Sequence, residues 1–153
     1  MGMLKQASLE DLTSGRVTRD QGYIVVCMHY YPRFLKKGLR DEFVNSLSPD
    51  KVLMADYLVA LKKHGDHNKA FTGVNYEKRF SLSNEALTEL ERLCQLSSNQ
   101  NVYLVCKCGK GEQCHRDLLL LLAGELFGAR TQKPRFDYPV FKNRMVSAAL
   151  DGE

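Results

Sequence analysis

The chain has 153 residues, 44% of them apolar and 26% charged, with 11 glycines and 4 prolines. That length suits one domain with its own core, and that composition excludes disordered, collagen-like and solenoid chains. A net charge of +4 permits an anionic partner without demanding one, because so small an excess acts on solubility and steering.

Residues 1–21 are polar and unpatterned, and the opening MGMLKQASLEDL lacks the apolar stretch of a signal peptide. From Tyr23 to Met28 a β-branched apolar run lies between Gly22 and the turn-like segment from His29 to Pro32, which predicts a strand buried on both faces. Leu39, Phe43, Val44 and Leu47 have the spacing of a short helix. Ser48 as N-cap and Pro49 at the first helical position open a longer one, whose apolar face is Val52, Leu53, Ala55, Leu58, Val59 and Leu61. It closes at Lys62, Lys63, His64 and Gly65, and His64 and His67 read there as a solvated helix end. Ser83 or Asn84 caps a helix with Leu87, Leu90, Leu93 and Cys94 inside and Glu85, Glu89 and Glu91 outside. Asn101 to Cys106 repeats the buried-strand pattern and stops at a segment containing Gly109 and Gly111.

The last helix begins at about Cys114 or His115 and stops at Gly128. Leu118 to Leu122 is apolar around more than a full turn, so the helix is expected to be central, with no wet face. The longest apolar run, Leu118 to Ala123, is far too short to span a bilayer, so no membrane partner is expected. Strands alternating with helices predict an α/β fold, a single-domain sandwich with a mostly parallel central sheet flanked by helices. Residues 1–130 are assigned to that domain. Residues 131–153, basic and containing Pro134 and Pro139, are assigned to a tail packed on it or extending from it.

The cysteines stand at 27, 94, 106, 108 and 114, three of them within nine residues. An odd, clustered set without a signal peptide argues for a reducing compartment and a cytoplasmic protein, where such thiols bind metal or do chemistry. Cys27, Cys94 and Cys106 fall inside apolar patterns and read as packing residues. Cys108 and Cys114 lie in a polar loop. Cys114 opens a helix, where unpaired N–H groups and a positive partial charge favour a thiolate or a phosphate.

In open α/β sheets the ligand crevice lies beyond the carboxyl ends of the strands, so the segment from Cys106 to Arg116 and the residues His29 and Arg33 are expected on one rim. The candidate catalytic set is Cys114 as reactive thiol with His115, Arg116 and His29. The candidate anion-binding set is Arg33, Cys108, Gly109, Lys110 and Gly111, the glycines letting the backbone approach the anion. The Walker spacing is absent. So is the cysteine-phosphatase spacing, which needs Arg six residues after the nucleophile, where this chain has Glu112 after Cys106 and Cys114 after Cys108. Zinc is the metal that Cys106, Cys108, Cys114 and His115 would take, although a helical start makes adjacent Cys114 and His115 awkward ligands for one ion.

Several short segments resemble the domain of unknown function family 488, in its branch with a Trp/Tyr-Pro-Arg segment and a C-terminal Cys-His-Arg. They are Tyr31-Pro32-Arg33 followed by Leu35 to Gly38, Leu47-Ser48-Pro49, Tyr76 to Phe80, Leu104-Val105-Cys106 and Cys114-His115-Arg116. The resemblance runs from about residue 23 to 128. The first strand ends here in Cys27-Met28-His29 where the family often has an acid and Arg, and Cys108 adds a Cys-x-Cys similar to that of a neighbouring uncharacterised family. The resemblance implies a compact α/β domain with its site at these motifs, and supplies no reaction.

The leading expectation is an enzyme acting through Cys114 on a small phosphorylated or nucleotide-like substrate. The rival is a nucleic-acid or protein-binding module using the basic tail and the segment from Arg33 to Arg40, with binding that weakens as salt rises. No RNA-recognition, helix-turn-helix or zinc-finger signature supports that rival.

Overall fold

Four strands pair in the computed structural model, which describes residues 2–109 and 111–151. They are β1 (Leu4–Ser8), β2 (Tyr23–Val26), β3 (Glu42–Phe43) and β4 (Val102–Cys106). All are parallel, in the order β1-β4-β2-β3. The helices are α1 (Leu9–Thr13), α2 (Lys51–His64), α3 (His67–Gly73), α4 (Tyr76–Arg79), α5 (Asn84–Ser97), α6 (His115–Phe127) and α7 (Pro139–Asp151).

Strand alternation sorts the core into two layers. Val25, Cys27, Val102 and Leu104 join the larger layer, with residues of α2 to α7, while Ile24, Val26, Tyr103 and Val105 meet Leu9, Leu12 and Leu35 on the other side. Burial on both faces explains why β2 and β4 read as unbroken apolar runs. The α/β fold with a parallel central sheet is therefore the one expected.

Three local readings are corrected. The stretch read as unpatterned contains β1 and α1. Its pattern is masked because Gln6 points inward from β1, its amide nitrogen donating to Asp117 Oδ1 at 2.7 Å. The five-residue α1 is fixed by a capping box between Ser8 and Asp11 rather than by a long periodic face. In place of a helix at Leu39 to Leu47 there are two short 3-10 turns, Lys37–Leu39 and Asn45–Leu47, around β3. The edge of β2 claims that backbone: Asp41 and Val44 amides donate to the carbonyls of Ile24 and Val26 at 2.8 and 2.9 Å.

The third correction concerns α2. Its N-cap is Asp50, which accepts from the Leu53 amide at 2.9 Å, while the Ser48 hydroxyl donates to Asn45 O. Of the expected apolar face only Leu53 is fully buried, joined by Tyr57; Val52, Leu58 and Val59 stay exposed because α2 packs chiefly on α3. The later helices follow their sequence signals. Ser83 caps α5, Leu118 to Leu120 are buried in α6, and Gly128 ends α6 with φ 61°, the left-handed region that glycine tolerates.

Beyond α6 the chain returns to the open edge of β1, where the Leu4 amide donates to Arg130 O at 2.9 Å and the Gln132 amide to Leu4 O at 2.8 Å. Tyr138 and Phe141 then enter the larger core layer beside Phe71 and Phe80. The edge strand is thereby covered.

Candidate active site at the carboxyl edge of the sheet

β4 ends in Cys106, and a short loop leads from there to Cys114, the N-cap of α6. Because Leu118 to Leu120 anchor α6 in the core, its first turn is buried too: Cys114, His115, Arg116 and Asp117 are each at most 6% exposed. Cys114 Sγ lies 3.0 Å from Cys106 Sγ, 3.4 Å from Arg116 Nε and 3.5 Å from His115 Nδ1. The other ring nitrogen, His115 Nε2, is 2.8 Å from the Cys27 carbonyl. A carbonyl only accepts, so Nε2 carries a proton and Nδ1 is turned to the sulfur.

Arg116 is fully buried, and its three donor groups point to Cys114 Sγ, Ala7 O and Cys108 O. No carboxylate pairs with it among the described residues. Asp117 is occupied by Gln6, by the Tyr138 hydroxyl and by the Arg135 amide. A buried cation without a counter-charge is costly, and the nearest group able to supply one is Cys114.

The electrostatics agree. Burial by itself pushes the Cys114 thiol up, but hydrogen bonds from Cys106 and Cys108 and the charges of His115 and Arg116 outweigh it and hold the group well below its ordinary value of 9.0. Cys106 is pushed well up, first by burial and then by its thiol neighbours. Cys108 is pushed up as well: its bond with Cys106 acts downward, and its bond with Cys114 and burial override that. Burial pulls His115 down, yet the Cys114 charge beside it raises it to about 10. The surroundings thus favour the thiolate at Cys114 over Cys106 and Cys108, with positive charge on its His115 and Arg116 side.

Cys114 opens on a cavity of about 260 Å³ whose walls include Met28, Met54, Tyr57, Leu61 and Tyr76. Of the expected site residues, Cys108, Cys114, His115 and His29 line this cavity together. Arg33 is exposed and does not line it, and Arg116 lies beneath it. The Gly109 amide, read as part of an anion cradle, donates instead to Glu112 Oε1 at 2.7 Å, and Gly111 O accepts from Asn68 at 3.0 Å. Lys110 lies outside the described residues.

Sequence reasoning missed Tyr57, His67 and Glu112 at this edge, and gave Cys106 a packing role beside its place in the zinc quartet. Cys106 is buried as expected, yet its sulfur faces Cys114 rather than only the core. His67, read as a solvated helix end, is half-buried between Tyr57 and Glu112. The only local signal was Asp66, the N-cap of α3, directly after Gly65, the C-cap of α2. Tyr57 and Glu112 gave none, because their meeting is long-range.

Among the described residues two donor sets could hold a metal ion, each with its donor atoms within 4.8 Å of one another: Cys106, Cys114 and His115, and His67, Cys108 and Glu112. Both suit zinc by donor type and leave a fourth position free. Cys108 falls in the second set, which departs from the expected quartet.

Fold and site together define a parallel α/β protein with a buried Cys-His-Arg turn at the carboxyl edge of its central strand. The family model described as the active DUF488-N3 subclade matches residues 8–125, and the chain belongs to that family. No curated protein and no solved structure matches the chain. Among the described residues no helix is long and apolar enough to cross a membrane.

Proposed function

We propose that this chain is a thiol-dependent enzyme in which Cys114 is the nucleophile and the substrate is a small nucleotide-like molecule. One observation carries the reading: Cys114 Sγ is flanked by His115 Nδ1 and Arg116 Nε on its protein side and lines the cavity on the other. A thiolate held by positive partners is the form that attacks electrophiles. Aromatic and methionine walls around about 260 Å³ favour a flat ring such as a nucleobase. The Gly109 amide and the donors of Arg116 are engaged within the protein, which favours the rim, beside exposed Lys107 and half-buried His29, as the place for a phosphate. The chemistry needs reduced thiols, which suits the cytoplasm.

Alkylation by iodoacetamide at pH 6, followed by peptide mapping, tests the reading. Cys114 should be the main site, Cys114→Ser should remove that labelling, and nucleoside monophosphates should slow it. Absence of Cys114 labelling in the parent protein overturns the proposal. A second reading, zinc, is favoured by the closeness of Cys106, Cys114 and His115. Under that reading protein purified without a chelating tag contains about one equivalent of zinc, and Cys114 resists alkylation until a chelator is added.

A further inference from the structure

The cavity carries a second chain of polar groups that the nucleophile does not use. Tyr57 from α2 and His67 from the start of α3 both line it. The Tyr57 hydroxyl is 2.8 Å from His67 Nδ1, His67 Nε2 is 2.9 Å from Glu112 Oε2, and Glu112 Oε1 accepts from the Gly109 amide. Asn68 secures the loop that carries Glu112: its amide nitrogen donates to Gly111 O and its oxygen accepts from the Gln113 amide at 2.7 Å. Hydroxyl, imidazole and carboxylate are thus held in series, each within hydrogen-bond reach of the next, by three separate segments of chain. That is the order in which a reacting hydroxyl, its proton partner and an orienting acid are arranged in acid–base catalysis.

We infer that Tyr57 is the proton donor to the leaving group of the substrate attacked by Cys114, with His67 and Glu112 as its positioning residues. The inference rests on Cys114 being the nucleophile. With His67 Nε2 donating to Glu112 and Nδ1 to the Tyr57 oxygen, the hydroxyl proton is free to point into the cavity. Cys114 Sγ then bonds to the electrophilic carbon, and the bond to the leaving atom breaks with its electron pair passing to that atom. The leaving atom takes the Tyr57 proton, and His67 returns its Nδ1 proton to Tyr57. A third of the His67 side chain is exposed, so solvent restores that proton. Water hydrolyses the covalent intermediate. Burial, and then Cys108, Cys114 and Glu112 beside it, push the Tyr57 hydroxyl well above its ordinary value, so it rests protonated.

The test uses the full chain and three electrophiles that modify Cys114: iodoacetamide, p-nitrophenyl acetate and phenyl acetate. Iodide and p-nitrophenolate depart readily without a proton, whereas the leaving oxygen of phenyl acetate gains from one. Tyr57→Phe should slow acylation by phenyl acetate about 100-fold and the other two reactions far less. His67→Gln should show the same selectivity with a smaller loss, and it stands as the deciding variant should Tyr57→Phe not fold. Equal slowing of all three reactions, or of none, overturns the inference and leaves Cys114 as nucleophile. A parent protein whose Cys114 reacts with none of the three overturns both.

Discussion

Two segments follow parallel strands to the same edge of the sheet, and they end at different depths. The first turn of α6, after β4, is buried, and each of the three side-chain nitrogens of Arg116 donates to a partner, on Ala7, Cys108 or Cys114. The segment after β2 leaves Tyr30 77% and Phe34 67% exposed, and Arg33 is exposed between them. What differs is the anchor. Leu118 to Leu120 draw α6 into the core and its polar first turn goes with them, whereas the β2 segment is pinned by Leu35 and the half-buried Tyr31. Strand order therefore brings residues to an edge, and the apolar residues that follow decide whether they become part of the interior.

Arg116→Met should break this contrast most. It leaves the carbonyls of Ala7 and Cys108 without their donor and the Cys114 thiolate without a cation, and breaking such a buried arrangement costs about 3–5 kcal/mol. Denaturant unfolding measures the loss, and a change below about 1 kcal/mol would show that Arg116 is not the keystone of that turn. Next in size is His115→Gln, which removes the imidazolium beside Cys114. The thiol then rises toward its ordinary value, and each unit that it climbs beyond the assay pH cuts the thiolate fraction tenfold, so alkylation of Cys114 at pH 6 should slow about tenfold.

A smaller effect concerns stability against pH. In the unfolded chain Cys titrates near 9.0 and His near 6.5, whereas in the folded protein Cys114 lies well below and His115 at about 10. Through the middle of the range between 6.5 and 9.0 the folded pair keeps its proton on His115 and the unfolded pair keeps one on Cys114, so their contribution changes little with pH. Below 6.5 the unfolded histidine gains a proton and stability falls as pH falls. Above 9.0 the unfolded cysteine loses its proton first, so stability falls as pH rises through about 10. Melting temperature should therefore show a plateau between these limits, and His115→Gln should lessen the alkaline decline without abolishing it, since Cys106 and Cys108 also keep their protons above 9.0 only in the folded chain.

The sequence made legible whatever depends on local pattern: the two buried strands, α5 and α6 with their caps, and the placing of Cys114 at a helix start on the sheet edge. It concealed what depends on partners far along the chain. Gln6 breaks the apolar rhythm of β1 because it serves Asp117, 111 residues away. His67 looks like a solvated terminus until Glu112 and Tyr57 close on it. Cys106 belongs to an apolar strand pattern and faces Cys114 only because the loop between them doubles back.

The smallest expected effect sharpens the comparison from its exposed side. Arg33 is exposed and does not line the cavity, so Arg33→Ala removes a solvated charge and should change stability by no more than about 0.5 kcal/mol. Alkylation of Cys114 should proceed at the parent rate, since its charge partners are His115 and Arg116. Protection of Cys114 by nucleoside monophosphates should also survive, because the cavity walls do not include Arg33. Weaker protection with unchanged alkylation of the free protein would mean that the segment after β2 folds over the cavity when ligand binds. Its shallow anchoring through Leu35 would then serve recruitment, and the depth contrast would describe only the unliganded state.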